Sequence, residues 1–195
     1  MGYIMKKSEI IADYCKRYLS LDKDILGDEY YYQSLPLCII DAVFSIGIKY
    51  QTVQKVVQRY CNFFKLNRIR KDKNVLPDTK QQQSISDFIE LKEKYDFTNN
   101  VFCNKNRTSS HNGILKSEAV FLYAKVLIEH GINYFQDLDK MYSSYYDISA
   151  DIMQIQGQKS GISLKYFLML AGNDNLIKPD RMDNGFSAKS FKYGI

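Results

Sequence analysis

The sequence has 195 residues, of which 45% are hydrophobic and 25% are charged, with ten glycines, three prolines and a net charge of +5. These proportions exclude a collagen, a low-complexity disordered chain and a disulfide scaffold, and the length suits one domain or two small lobes around a buried core. The mildly basic charge permits binding to nucleic acid without requiring it.

Helical periodicity dominates the first third of the chain. Apolar residues between Ile10 and Tyr18 fall on one stripe after Ser8, a candidate N-cap, and predict a first helix. Residues 21–34 predict a connection, and the stretch 35–46 is apolar on almost every face, which predicts a buried central helix. The next helix has the clearest amphipathic pattern, formed by Val53, Val56, Val57, Tyr60, Cys61 and Phe64.

Two irregular segments separate the remaining helices. Residues 66–83 are polar and basic and predict a loop, after which Ser84 marks the start of another helix. Residues 99–113 form the second irregular segment, and a helix over 115–130 follows, closed by Gly131. The sequence has no strand-like alternation of any length and no internal repeat. It therefore predicts an all-α protein.

The sequence gives no indication of export, of a membrane span or of a metal site. The longest apolar stretch, 35–48, contains Asp41 and is shorter than the roughly 20 residues of a span, and the N-terminus lacks a secretory signal. No CxxC pair and no Cys/His cluster occurs among Cys15, Cys38, Cys61 and Cys103. We expect the three that lie in apolar helical stretches to be buried free thiols. We therefore expect a cytoplasmic protein that does not bind a membrane.

The most informative segment runs from Asp147 to Met182. It predicts a short helix over 149–155, a tight turn that contains Gly157 and Gly161, and an apolar helix that ends at Ala171. Two helices joined by a glycine turn can bind anions, because glycines let the backbone approach a DNA phosphate and the free N–H groups of the second helix point at it. Turns of this kind also occur in helical proteins of other functions.

This segment resembles the helix-hairpin-helix superfamily of base-excision DNA glycosylases. The family pattern is apolar-Pro-Gly-apolar-Gly, followed by a catalytic Asp about two dozen residues beyond the first Gly. Ile155, Gly157 and Ile162 are in register with this pattern, and Asp180, 23 residues after Gly157, falls on the catalytic Asp. Residues 35–64 and 113–127 look like family helices that precede the hairpin, so that the resemblance covers 35–182.

The resemblance implies a helical bundle of two lobes. Its segments are an N-terminal helix and connection (1–34), a barrel-like lobe (35–146), the hairpin and catalytic segment (147–182) and an irregular tail (183–195). The implied partner is double-stranded DNA, bound by a monomer that needs no cofactor, with a monovalent cation at the hairpin as the one candidate ion. The implied DNA-binding residues are Gly157, Gln158, Lys159, Ser160, Gly161 and Lys165. Tyr50 and Gln51 are the candidates for the wedge that opens the duplex.

Departures from the family pattern narrow the implied activity. Gln156 replaces the hairpin proline, and Lys159 replaces the second glycine. Gly161 occupies the place of the family's Schiff-base lysine, so no imine with the sugar is expected. The resemblance therefore implies monofunctional base excision, in which an ionised Asp180 stabilises positive charge on the sugar. Members of the family have a further helix after the catalytic Asp. Residues 183–195 have no helical stripe, and a truncation or frame change after Met182 would account for the difference.

Two other functions are compatible with the sequence. A non-catalytic DNA-binding protein would keep the hairpin without the chemistry, and a helical interaction protein would use the same residues as an ordinary turn. Taken locally, an Asp after a Pro in a polar loop, such as Asp180, is usually a turn or cap residue, and surface lysines such as Lys49 and Lys165 usually only face solvent. The sequence does not specify which base is removed.

Overall fold

The computed structural model describes residues 7–18 and 27–172. Within these ranges the chain is all-α, which confirms the predicted fold class, and its extended pairings are the isolated bridges Tyr32–Ile69 and Arg107–Leu115. The α-helices are α1 (Lys7–Tyr18), α2 (Leu35–Phe44), α3 (Tyr50–Phe64), α4 (Ile85–Glu90), α5 (Lys116–Glu129), α6 (Leu138–Ser143), α7 (Tyr145–Gln154) and α8 (Ile162–Leu170). A π-turn covers Phe97–Val101, and short 3-10 turns lie at Asp28–Tyr30, Thr79–Gln81, Leu91–Glu93 and Phe135–Asp137.

The chain divides into two compact units. Helix α1 belongs to the smaller unit and begins at Lys7, so that the predicted cap, Ser8, lies inside the helix rather than before it. Helices α2 to α8 belong to the larger unit, Asp28–Lys178. The larger unit contains the hairpin segment and is the part of the molecule considered below.

Helix α2 is the centre of the larger unit. All ten of its residues are buried, as its apolar sequence predicted, and it packs against α3, α5 and α8. Its one charged residue, Asp41, accepts hydrogen bonds of 2.7 Å from the hydroxyl groups of Tyr32 and Ser45. These bonds offset the cost of placing a carboxyl group in an apolar core.

Helices α3 and α4 form where their sequences predicted them. Helix α3 buries the expected stripe except for Phe64 at its end, which is half-buried. Tyr60 on that stripe packs its ring against Phe88 at a centroid distance of 5.7 Å. Ser84 caps α4, because its hydroxyl accepts the Asp87 N–H at 2.9 Å. The cap satisfies one of the free N–H groups at the start of the helix.

No helix among the described residues is long and apolar enough to cross a membrane. Within the same residues, no three His, Cys, Asp or Glu side chains come together as a metal site would require. All four cysteines are free thiols. Cys38 and Cys61 are buried as predicted, Cys15 is only half-buried, and Cys103 is exposed on a loop.

Candidate nucleic-acid interface

The segment 155–161, hereafter the hairpin, joins α7 to α8 through two successive turns. The Gln158 N–H donates to the Ile155 carbonyl at 2.9 Å, and the Gly161 N–H donates to the Gln158 carbonyl at 3.0 Å. Gly157 (φ +87°) and Gly161 (φ +66°) have the left-handed backbone that glycine adopts without strain. Gly157 is the third residue of its turn, where a type II turn requires glycine. Both glycines are therefore needed for the shape of the turn.

Helix α8 begins directly after the hairpin and has cationic side chains around its first turn. Gly161 is its N-cap, and the Ile162 N–H lies 3.4 Å from the hydroxyl of the exposed Ser160. Lys159 and Lys165 are exposed, and neither forms an ion pair with an acid in the described part of the chain. The first N–H groups of a helix have no acceptor within it, and the helix dipole favours an anion there. This arrangement can bind a phosphate group.

Three buried polar groups at the hairpin lack a hydrogen-bond partner among the described residues. They are the amide nitrogen of Gln158 and the hydroxyls of Ser163 and Thr108. Gln158 is only 2% exposed. Buried polar groups are nearly always satisfied, so unsatisfied groups call for an explanation such as a bound water, ion or ligand.

The start of α8 lies at the same end of the larger unit as the end of α2, because these two helices run antiparallel. The Cys38 thiol, near the start of α2, lies 3.7 Å from the Leu170 carbonyl at the end of α8. About one turn earlier in α8, the Tyr166 side chain forms a hydrogen bond with the Ser45 hydroxyl. Burial raises the pKa of Tyr166, and this hydrogen bond offsets part of the rise. Ser45 directly follows α2, so the connection 45–49 lies near the first half of α8.

Lys116 fixes the start of α5 at this same end. Its side chain is 1% exposed, and its ammonium group donates to the carbonyls of Phe44 (2.8 Å) and Ile46 (2.5 Å). These carbonyls lie at the C-terminal end of α2, where the helix dipole favours a cation. The contact therefore joins α5 to the connection between α2 and α3.

The two wedge candidates lie at the start of α3, directly after the connection 45–49. Gln51 is exposed, as is the preceding Lys49. Tyr50 is half-buried and stacks on Tyr30, with ring centroids 5.2 Å apart and an interplanar angle of 22°. Tyr50 therefore already has an aromatic partner, whereas the Gln51 side chain extends into solvent.

Asp180, the predicted catalytic residue, lies outside the described residues, as does the tail after Met182.

At the other end of α8 from the hairpin, a cavity of about 550 Å³ is bordered by Gly172 and Arg70. The Arg70 guanidinium stacks on the Phe135 ring at 4.5 Å and donates to the Tyr32 carbonyl at 2.9 Å. Arg70 therefore has a structural role, because its side chain joins the loop 66–83 to the rest of the larger unit.

Sequence reasoning missed two features of the hairpin end. It placed Lys116 in a helix without a role, and it left 99–113 as an irregular segment. In the structure Thr108 packs directly against Gly157, because a Cβ atom at position 157 would lie 2.3 Å from the Thr108 Cβ. The available signal was charge, since no acidic residue occurs between Asp96 and Glu118.

The described residues thus define an all-α protein in which a glycine turn, the first N–H groups of a helix and exposed lysines lie at one end. The chain belongs to the family described as Domain of unknown function (DUF8548), whose model matches residues 9–194. The match includes Asp180 and most of the tail that follows Met182. No curated protein and no solved structure matches the chain.

Proposed function

We propose that this protein binds double-stranded DNA through the hairpin and the start of α8, and that it removes a base by monofunctional hydrolysis of the N-glycosidic bond. The observation that carries the proposal is the hairpin, with two glycines at positive φ next to the first turn of a nine-residue helix. The proposal includes the two-lobed, glycosylase-like arrangement that the sequence resemblance implies.

The hairpin supports DNA binding for a geometric and an electrostatic reason. At Gly161 no side chain keeps a phosphate away from the backbone, whereas at Gly157 the space of a side chain is filled by Thr108. The N–H groups of Ser163 and Leu164 have no acceptor within α8, and that of Ile162 makes only a 3.4 Å contact with the Ser160 hydroxyl, so these donors can bind an anion. Lys159 and Lys165 add two positive charges next to these donors, and no acid within the described ranges forms an ion pair with either. Contacts of this kind recognise the sugar-phosphate backbone and not the sequence of bases.

Asp180 would supply the chemistry of base excision. As the bond between base and sugar breaks, its electron pair moves to the base nitrogen, which takes up a proton, and positive charge develops on the sugar ring. An ionised Asp180 beside the sugar would stabilise that charge and orient the water whose oxygen then bonds to the sugar carbon and loses a proton. The support for this role is the spacing of 23 residues from Gly157.

Strand cleavage through an imine is not part of the proposal. An imine needs an uncharged amine within reach of the sugar carbon. Gly161 stands where the family's lyases have that lysine, and Lys159 is an exposed residue of the turn. Base excision should therefore leave an intact strand with an abasic site, which breaks only on treatment with alkali.

Binding is tested by fluorescence anisotropy with a labelled duplex at several salt concentrations. The hairpin variant, Lys159→Ala/Lys165→Ala, is compared with a control variant, Lys80→Ala/Lys125→Ala, which removes two exposed lysines elsewhere. Each lost phosphate contact should lower the slope of log K against log salt by about 0.9. We expect a smaller slope for the hairpin variant and an unchanged slope for the control. Equal slopes for both variants would reject the hairpin as the DNA-binding element.

Base excision is tested with duplexes that each carry one deaminated, oxidised or alkylated base. We expect alkali-dependent strand breaks with the wild type on at least one duplex, and none with Asp180→Asn, which should still bind DNA. Base release by Asp180→Asn at the wild-type rate would refute the role of Asp180. DNA binding by the wild type without release of any base would favour the second function, a non-catalytic DNA-binding protein.

A further inference from the structure

The loop 103–113 lies against the hairpin, although the two segments are about fifty residues apart in the sequence. A Cβ atom on Gly157 would lie 2.3 Å from the Thr108 Cβ and 2.6 Å from its hydroxyl oxygen, which is closer than side chains approach one another. The absence of a side chain at position 157 is therefore what allows Thr108 to contact the turn. The Thr108 hydroxyl, buried at this junction, has no hydrogen-bond partner among the described residues.

The loop is held in shape by hydrogen bonds at its base. The Thr108 N–H donates to the Ile114 carbonyl at 2.9 Å, and the Lys116 N–H donates to the Asn106 carbonyl at 2.8 Å. The Arg59 guanidinium donates to the carbonyls of Phe102 (3.0 Å) and Cys103 (3.2 Å) where the loop begins. A loop fixed in this way loses little conformational entropy when it binds a ligand.

The exposed surface of the loop is cationic. Lys105 and Arg107 are exposed, and neither forms an ion pair with an acid in the described part of the chain. The preceding acid in the sequence is Asp96, whose pKa is lowered chiefly by hydrogen bonds from Asn99 and less by Lys105. Asp96 therefore has its own partner outside the loop.

Hydroxyl and amide groups complete the exposed surface of the loop, at Ser109, Ser110 and Asn112. These groups and the cationic side chains are the usual donors to phosphate oxygens in protein–DNA complexes. An exposed charge cluster alone would be an ordinary solvated surface. Here the cluster is held in shape by hydrogen bonds, forms no ion pair among the described residues and contacts the hairpin, which itself carries Lys159 and Lys165.

We infer that the loop 103–113 forms, together with the hairpin, a continuous surface for the sugar-phosphate backbone of one DNA duplex. Lys105 and Arg107 contact phosphates next to those that the hairpin binds. The Thr108–Gly157 contact keeps the two segments in register. This inference rests on the proposed DNA binding and extends it to a second segment of the chain.

The test adds a loop variant, Lys105→Ala/Arg107→Ala, to the anisotropy measurements. Like the hairpin and control variants, the loop variant removes two positive charges. The slope of log K against log salt should fall by about 1.8 if two phosphate contacts are lost, and the affinity at moderate salt should fall about tenfold or more. A loop variant that binds like the control variant, while the hairpin variant is weakened, would overturn the inference and leave the proposed function intact.

The remaining outcomes separate the two proposals. A weakened loop variant beside an unaffected hairpin variant would support the loop and reject the hairpin, and a wild type without salt-dependent binding would overturn both. Because Arg107 also donates to the Gly113 carbonyl, its loss could disturb the loop itself. The single variants Lys105→Ala and Arg107→Lys distinguish the loss of a phosphate contact from a disturbance of the loop. Lys105→Ala should lose about one contact, and the charge-preserving Arg107→Lys should keep most of the affinity. Wild-type affinity in Lys105→Ala, with the double variant unfolded, would count against the inference.

Discussion

The contact between Thr108 and Gly157 can be tested by adding a single methyl group. In Gly157→Ala the new Cβ would overlap Thr108, whereas in Gly161→Ala the nearest atom, the Met153 sulfur, would be 3.9 Å away. Both variants place alanine at positive φ, which costs about 1–2 kcal/mol. Only Gly157→Ala adds overpacking, which typically costs a further 1–3 kcal/mol.

The assay is urea unfolding followed by circular dichroism. We expect Gly161→Ala to lower the free energy of unfolding by about 1–2 kcal/mol, and Gly157→Ala by about 2–5 kcal/mol. Thr108→Gly removes the atoms that the new methyl group meets, so the double variant should be less destabilised than the sum of the single variants. Equal destabilisation by the two glycine substitutions, or additive effects in the Thr108 cycle, would refute the contact.

Two further predictions concern contacts that hold the larger unit together. Lys116→Met leaves the carbonyls of Phe44 and Ile46 without the ammonium donor, so urea unfolding should show a loss of about 2–3 kcal/mol, against little change in the exposed control Lys125→Met. Asp137 is partly buried, which raises its pKa, but a bond from Lys140 and N–H donors hold that pKa below the ordinary 3.8. Its ionised form therefore stabilises the fold above about pH 4, and this contribution is lost as the pH falls further. Wild-type stability should fall more steeply between about pH 4 and 2 than that of Asp137→Asn; parallel curves would contradict this assignment.

Local signals in the sequence predicted much of the fold. The stretch 35–46 is apolar on nearly all faces, and α2 is buried along its whole length. The spacing of the apolar residues from Val53 to Phe64 fixed the buried face of α3, and Ser84 identified the cap of α4. These features depend on residues within one or two helical turns of each other, which a single sequence contains in full.

Features that depend on distant contacts could not be predicted in this way. Helix α6 has only six residues, and helices this short are not stable by themselves, so it owes its existence to the burial of Leu138 and Met141. The role of Lys116 depends on carbonyls about seventy residues earlier. The position of the loop 103–113 against Gly157 likewise depends on the tertiary fold. For the candidate site, the sequence thus predicted two helices joined by a glycine turn but not the segment that lies beside the turn.

The buried carboxyl group of Asp41 also affects the chain before it folds. In the native state Asp41 is paired with Tyr32 and Ser45, but during synthesis it is an ionised group in the middle of a long apolar stretch. A charge in such a segment opposes aggregation and non-specific sticking of nascent chains. Asp41 can therefore act as a gatekeeper residue whose benefit is greatest while α2 is still exposed. The substitution Asp41→Leu would place an apolar side chain in the core, but it would make the nascent polypeptide more prone to aggregate.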